Sequence, residues 1–256
     1  MRTKVLFMSL VLGCLWSCQQ DETIEQTDGQ TIKFTSVVIG DETLSRASGS
    51  TSIDVISMRT ELDDKFTVFD LKKDTRSWGE FSKKSEVFFY AHYPRLPESV
   101  ASNETRVLEG GTNDYLFGKA KAVAGQQQVC LQFKRVMAPL IVEVLDGDGR
   151  SYQGDIEVSA LIKNKGIQNL KDGSIVILDE KKYTSFNRFD NDGKQALNLL
   201  PQRIEKGTPF QVRLSNGVTY TATVGEAVQL NSGESYKVVV RGDRVDITIY
   251  DGSIPL

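Results

Sequence analysis

The sequence predicts an all-β fold of tandem β-sandwich domains, and three observations support this prediction. Alternating apolar and polar residues form short stretches that recur at intervals of roughly eight to twelve residues, as the strands of sandwich proteins do. Gly, Asn and Asp are frequent between these stretches, where tight turns need them. The 3.6-residue periodicity of amphipathic helices is weak throughout the chain. The 256 residues are enough for two such domains after an export signal.

The first twenty residues have the features of an export signal. Arg2 and Lys4 give a short basic start, and residues 5–12 form a largely apolar run that ends well before the polar residues from Gln19 onward. This run is too short for a membrane-spanning helix but suits the apolar region of a signal peptide. We therefore expect the rest of the chain to be exported.

Cys18 closes a short motif that resembles the lipobox of bacterial lipoproteins, with Leu15 three places before the cysteine and Ser17 directly before it. We expect a lipoprotein signal peptide over residues 1–17 and acylation of Cys18, which would anchor the chain to outer-membrane lipid at the cell surface. The acidic residues that follow resemble signals for surface exposure. Cys14 is an alternative lipidation site, and an ordinary signal peptide with a chance cysteine is another alternative.

A tether, a first strand and an exposed loop follow the cysteine. Residues 18–30 are polar and acidic, and we expect them to be extended. Residues 31–39 alternate and predict the first strand. Ser and Gly then predict a loop that contains Arg46, and a basic residue on such a loop is accessible to proteases. Cleavage would fall between Arg46 and Ala47.

Further strands are predicted along the remaining chain. In the first half they are expected at residues 66–71, 86–93 and 115–118, and in a core hairpin over 129–145. In the second half they are expected at residues 156–162, 175–178, 196–200, 210–214, 218–224, 236–240 and 245–250. Residues 54–62 show a weak helical pattern, and the polar stretch 98–114 predicts a loop or hairpin. The Asp-Gly-Asp-Gly turn at 146–149 predicts a boundary between an N-terminal domain, 31–147, and a C-terminal domain, 148–256.

The composition gives little support for catalysis, cofactors or nucleic acid. The formal net charge of −3 provides no basic surface for nucleic acid. His92 is the single histidine and lies in an aromatic strand, so we expect a structural role. Cys130 is the only thiol expected in the mature chain, which excludes an intramolecular disulfide, and we expect it to be buried or half-buried. The sequence predicts no enzyme, no catalytic residues and no cofactor.

Four short motifs admit two interpretations each. Residues 146–149 and 190–193 contain aspartates, but neither has the closing glutamate of a calcium loop, so we expect turns and no metal site. Residues 241–243 spell Arg-Gly-Asp, an integrin-type tripeptide, but their position between two predicted strands favours a turn. Trp78 and Phe81 could form an exposed sugar platform, although core packing is the preferred interpretation.

The order of several segments resembles that of fimbrillin-like proteins. The segments in the first half are Phe88-Phe-Tyr-Ala-His-Tyr-Pro94, Asp114-Tyr-Leu-Phe-Gly-Lys-Ala120 and Val129-Cys-Leu-Gln-Phe-Lys-Arg-Val-Met-Ala138 running into Ile141-Val-Glu-Val144. Those in the second half are Leu200-Pro-Gln202 and Leu230-Asn-Ser-Gly-Glu-Ser-Tyr236. The core hairpin departs from the family, because Phe133-Lys134-Arg135 stands where fimbrillins commonly carry Phe-x-His. The resemblance implies two transthyretin-like β-sandwich domains, lipoprotein export and assembly into surface fimbriae.

The resemblance also implies how such a protein is assembled. In stalk subunits of that family a trypsin-like protease cuts beyond the first strand, and a strand of the neighbouring subunit fills the groove left behind. A donor strand must alternate, and residues 245–250 do, with Val245, Ile247 and Ile249 on one face. If this strand instead closes its own domain, we expect a tip subunit rather than a stalk subunit.

We therefore expect a structural or adhesive subunit of surface fimbriae, in a tip, minor or stalk position. The expected partners are other fimbrial subunits through strand exchange, outer-membrane lipid through Cys18, and a host protein or glycan. The alternative is a stand-alone surface lipoprotein that binds glycans or host ligands.

Overall fold

The computed structural model describes residues 30–38, 53–81, 84–186 and 195–251, and strands make up nearly all of their regular structure. Within these ranges the one helical segment is a 3-10 turn at Trp78–Phe81. No helix in the described part of the chain has the length and apolar character needed to cross a membrane. The predicted all-β class is confirmed.

Twenty strands follow one another along the described chain. The first ten are β1 (Thr31–Val38), β2 (Val55–Thr60), β3 (Thr67–Asp70), β4 (Arg76–Ser77), β5 (Glu86–Tyr93), β6 (Thr105–Glu109), β7 (Leu116–Val123), β8 (Gln128–Arg135), β9 (Ala138–Leu145) and β10 (Ile156–Lys163). The second ten are β11 (Lys165–Asn169), β12 (Ile175–Ile177), β13 (Lys181–Phe186), β14 (Gln195–Leu199), β15 (Arg203–Ile204), β16 (Pro209–Leu214), β17 (Thr219–Val224), β18 (Val228–Gln229), β19 (Tyr236–Arg241) and β20 (Arg244–Ile249).

The strands form two large and two small sheets that build sandwich-like units. The N-terminal sheet has the order β3-β2-β5-β7-β8-β1-β4, and the C-terminal sheet has the order β13-β10-β16-β17-β20-β19-β9-β14. A three-stranded sheet has the order β12-β11-β6, and β15 pairs with β18. Most pairings are antiparallel, but three are parallel: β1 with β8, β19 with β9, and β17 with β20 over two residues.

Each large sheet encloses its own apolar core. The N-terminal core is aromatic at its centre and includes Ile32, Phe34, Met58, Phe69, Trp78, Phe81, Phe89, Leu116, Leu131 and Phe133. The C-terminal core is mostly aliphatic and includes Leu140, Val142, Val158, Ile162, Leu197, Phe210, Val212, Tyr236, Val238 and Val245. In both cores the buried residues alternate with exposed ones along most strands, as expected for sheets with one face on a core.

The chain passes from one large sheet to the other at a short buried step. Strand β8 ends at Arg135 and β9 begins at Ala138, and the two residues between them, Val136 and Met137, are buried. They pack with Leu108 of the small three-stranded sheet, in which β6 from the first half pairs with β11 from the second. The change of sheet therefore precedes the turn at 146–149. The domain boundary expected at that turn stays a prediction.

Three local expectations were wrong. Strands β8 and β9 lie in different large sheets and do not pair, so residues 129–145 do not form the predicted core hairpin. Residues 54–62 contain strand β2 rather than a helical turn. Both faces of β2 are covered, since Ile56 and Met58 are buried on one face and Ser57 and Arg59 on the other. This double burial removes the alternation that marks a half-exposed strand. The polar stretch 98–114 contains β6, whose partner is the distant β11 and not a neighbouring hairpin strand.

Candidate functional site

Strand β1 is held in the N-terminal sheet mainly by β8. Residues 33–38 of β1 pair in parallel with residues 128–133 of β8. On its other side β1 pairs with β4 only at Thr31 and Ile32. Among the described residues, the second half of β1 therefore has no strand along its outer edge. Such an edge leaves backbone donors and acceptors open to another chain.

The inward side chains of β1 belong to the N-terminal core. Ile32 is fully buried and Phe34 is 4% exposed. The Phe34 ring lies edge-on to two others, with centroid distances of 5.3 Å to Phe69 and 4.9 Å to Phe89. The outward residues Lys33 and Thr35 are exposed, so the alternation predicted for this strand is confirmed. Strand β1 thus completes the core from an edge of the sheet.

Strand β20 occupies a different position. It pairs with β19 over its whole length and with β17 at Arg244 and Val245, so it lies inside the C-terminal sheet. Val245 is fully buried in the core and Ile247 packs against that core, whereas Ile249 is 71% exposed. The predicted alternation therefore holds only in the first half of the strand. In this structure β20 closes its own sheet.

Comparison with known families decides the identity of this two-core arrangement. The family described as fimbrillin-like matches residues 55–254 of the chain. The chain belongs to the fimbrillin-like family. The matched region begins at β2 and includes β20, so it contains both large sheets except for β1.

Solved structures agree with this family assignment. A candidate cell adhesion protein of Bacteroides thetaiotaomicron is 31% identical, with a TM-score of 0.63 over 88% of this chain and 99% of that chain. Candidate cell adhesion proteins of Bacteroides ovatus and Bacteroides uniformis are 18% and 14% identical, with TM-scores of 0.62 and 0.65. They cover 87% of this chain each, and 96% and 98% of their own chains. These two show the shared fold alone. Among the curated proteins none matches.

Family membership places this fimbrillin-like chain among fimbrial and adhesion proteins, and it fits exposure at the cell surface. The residues predicted for export and processing are not described by the structure. Cys18, Arg46 and Ala47 lie outside the described residues, as does the Asp-containing stretch 190–193. Lipidation at Cys18 and cleavage after Arg46 stay predictions.

The histidine and the free cysteine of the fimbrillin-like chain have different environments. His92 is fully buried, lies next to Phe66 and Phe117, and its Nε2 is 2.9 Å from the carbonyl oxygen of Leu170. Burial, together with the charge of Arg106, lowers the pKa of His92 to about 3. The imidazole is therefore neutral and structural. Cys130 is exposed on β8, so the expectation of a buried or half-buried thiol was wrong.

The other motifs form structural contacts. Trp78 and Phe81 are buried together, and Trp78 Nε1 donates to the carbonyl oxygen of Gln126 at 2.8 Å, which confirms the core interpretation. Residues 146–149 form a turn in which Asp146 Oδ1 accepts two backbone N–H groups. Of the residues 241–243, Arg241 ends β19, and residues 242 and 243 form the turn to β20. In the described ranges no cluster of His, Cys, Asp and Glu could hold a metal ion.

The position that departs from the common fimbrillin pattern carries a buried ion pair. Arg135 ends β8, and its Nε lies 2.8 Å from Asp114 Oδ2, with side chains 5% and 9% exposed. Removing one partner of such a pair leaves an uncompensated buried charge. Arg135 therefore fixes the end of β8 just before the chain changes sheet.

Truncating Phe34 should weaken the attachment of β1. We expect Phe34→Ala to lower the free energy of unfolding of the N-terminal sheet by about 3–5 kcal/mol, because the variant loses buried area and leaves a cavity. Urea unfolding of the non-lipidated protein measures this change. The matched control is Thr35→Ala, at an exposed neighbour on the same strand, which should change stability by less than about 0.5 kcal/mol. Equal effects of the two variants would mean that β1 is not seated in the core.

Stability should fall in mild acid because of His92. Its pKa is lowered on folding, so the unfolded chain takes up a proton below about pH 6.5 while the folded chain stays neutral down to about pH 3. We expect a loss of about 1 kcal/mol between pH 7 and pH 5.5. The variant His92→Gln, which cannot be protonated in this range, should be less stable at pH 7 but show a flatter pH dependence. Identical pH slopes for the two proteins would exclude this effect.

Proposed function

We propose that this chain is a tip or minor subunit of surface fimbriae, exported as a lipoprotein through Cys18 and joined to its neighbour by strand exchange after proteolysis. The observation that carries the proposal is the contrast between the two end strands. Strand β1 completes its sheet from a partly open edge, whereas β20 is an interior strand of its own sheet. The chain is therefore suited to receive a strand and poorly suited to donate one.

The groove that would receive a donor strand is the one that β1 covers in this structure. Without β1, the edge of β8 would expose unpaired backbone N–H and C=O groups over residues 128–133. The space left by Phe34 would open onto the rings of Phe69 and Phe89. An open strand edge beside an apolar groove is an arrangement that takes up an added strand with alternating apolar side chains. A subunit that offers such a strand is the partner that fits.

The route to removal of β1 is a single cut in the chain. The segment between β1 and β2 contains Arg46, and cleavage between Arg46 and Ala47 would sever the covalent link from β1 to the remaining sheet. Because β1 lies on the same fragment as Cys18, the lipid anchor would leave with it. Processing would then free the subunit from the membrane and open the groove in one step.

The position of β20, the candidate donor strand, favours a tip or minor subunit. Withdrawing β20 would take Val245 out of the C-terminal core and would leave β19 and β17 without a strand between them. Ile249 could reach a neighbour, but one exposed apolar side chain does not provide the alternating row that a donor needs. Strand donation by β20 would cost this chain its own sheet.

A reversible lock on β1 tests the proposal. Thr35 is the register partner of the free Cys130 on β8, so Thr35→Cys places two thiols on neighbouring strands. After oxidation and trypsin treatment, the cut protein should keep β1 and fail to bind a synthetic peptide of residues 31–38. Reduction should release β1 and restore peptide binding. Thr35→Ser serves as the matched control and should release β1 without a reducing agent.

Two results would contradict the proposal. One is a protein cut after Arg46 that retains β1 without the lock and never binds the peptide. The other is a processed protein that forms ladders by itself, since a tip or minor subunit should stay monomeric until a donor subunit is added. Mass spectrometry identifies the cut, and gel electrophoresis without boiling separates ladders from monomers.

A further inference from the structure

A cavity of about 530 Å³ lies between strand β6 and the segment that follows β5. Residues that line it include Arg95, Val100, Arg106, Val107, Tyr115 and Ile167. Its volume falls within the range of small-molecule sites. No residue of β1 or β20 is among those that line it. Ligand binding in this cavity would be independent of fimbrial assembly.

The Arg106 guanidinium is the central feature of this site, which we name the Arg106 cavity. Arg106 is 7% exposed, and its Nε donates to Gln168 Oε1 at 2.7 Å. Its guanidinium carbon lies 4.7 Å from the centre of the Tyr115 ring, so the planar group is fixed by stacking. Its Nη2 has no acceptor within the described part of the chain. A buried donor without an acceptor is rare in folded proteins and calls for a partner.

The charge of Arg106 is not balanced by a carboxylate. Among the described residues no acidic group forms an ion pair with Arg106, and the residues that line the cavity include Arg95 but neither Asp nor Glu. Burial lowers the pKa of Arg106 to about 10, so the group keeps its charge at neutral pH. The cavity thus presents a fixed positive charge in a partly desolvated place, where a single anionic group would be bound most strongly.

Apolar side chains form part of the wall, beside the polar residues Arg95, Asn103, Thr105 and Asn113. Val107, Ile167 and Val176 are register partners on the three strands of the small sheet, and they are 66%, 36% and 67% exposed. Val107 and Ile167 line the cavity, and Val176 extends the same row beyond it. Val100, on the segment that follows β5, also lines the cavity. A contiguous exposed row of β-branched residues beside a buried charge indicates a ligand with an anionic end and an apolar body.

We propose that the Arg106 cavity binds an organic carboxylate that carries an apolar body. The planar guanidinium matches the two oxygens of a carboxylate, and Val100, Val107 and Ile167 would cover the apolar part. A carboxylate fits better than a phosphate dianion, because the site offers a single buried cation and no helix N-terminus. Such a ligand differs from a neutral sugar, which would leave the charge of Arg106 without an anionic partner.

Probe compounds test separately whether the carboxylate and the apolar body are needed for binding. Ligand-observed NMR on the full chain should detect binding of N-acetyl-leucine and octanoate. N-acetyl-leucinamide lacks the charge and should bind at least about tenfold more weakly. Glucuronate keeps the carboxylate on a polar body and should also bind more weakly. Equal binding of the amide, tighter binding of glucuronate or inorganic phosphate, or no binding of either apolar acid at millimolar concentration would each overturn the proposal.

A matched pair of arginine variants tests the assignment to Arg106. Arg59 is also buried, stacks on Phe66 at 4.4 Å and has an Nη2 without an acceptor in the described ranges, but it does not line the cavity. Arg106→Lys keeps the charge and loses the planar fork, so it should weaken binding of N-acetyl-leucine by about tenfold. Arg59→Lys should leave binding unchanged. Equal losses in both variants would show a general structural effect and overturn the site.

Exposed positions provide a test that does not disturb the buried residues. Val107→Glu places a carboxylate at the wall of the cavity and should abolish binding of N-acetyl-leucine by repulsion. Val107→Gln, of similar size but neutral, should retain most of it. Val176→Glu puts the same charge on the same face outside the cavity and should have little effect. Binding that survives Val107→Glu would overturn the proposal even if Arg106→Lys fails to fold.

Discussion

The packing of Phe34 between Phe69 and Phe89 determines how the N-terminal sheet is completed. This contact comes from a strand that precedes the rest of its sheet in sequence and lies parallel to β8, so it depends on a segment that one chain cut could detach. The aromatic core around it is otherwise built from residues 53–133. A core that relies on one separable strand is stable while the strand is present and open to a substitute when it is gone.

The C-terminal sheet differs from the N-terminal sheet because the strand at the end of the described chain, β20, lies in its interior. In its interior the consecutive strands β19 and β20 lie beside the distant strand β9, so its core depends on the last described strand as much as on the first. The buried step at Val136 and Met137, together with the pairing of β6 with β11, connects the two cores without merging them. Under the proposed function, the N-terminal half would exchange a strand and the C-terminal half would serve as a closed support.

The sequence predicts much of this fold because most strands have one covered face. Alternation was enough to locate β1, β8 and β9, but it could not show that β8 and β9 lie in different sheets instead of pairing as a hairpin. It failed for β2, whose faces are both covered. For Cys130 the alternation with Val129, Leu131 and Phe133 was a correct guide to exposure, and the error came from the usual burial of cysteine. Alternation also gave no sign of the Arg106 cavity. An arginine inside a polar stretch looks exposed in sequence, and only the pairing of β6 with β11 and the stacking on Tyr115 bury it.

Hydrogen exchange on intact and trypsin-cut protein tests the central claim, that β1 is a separable part of one sheet only. Amide protection follows the local opening of each strand, so it reports on the two sheets separately. After the cut and loss of β1, the account predicts faster exchange in β8 and unchanged protection in β9, β19 and β20. Unchanged protection in β8, or a loss of protection throughout both sheets, would contradict it.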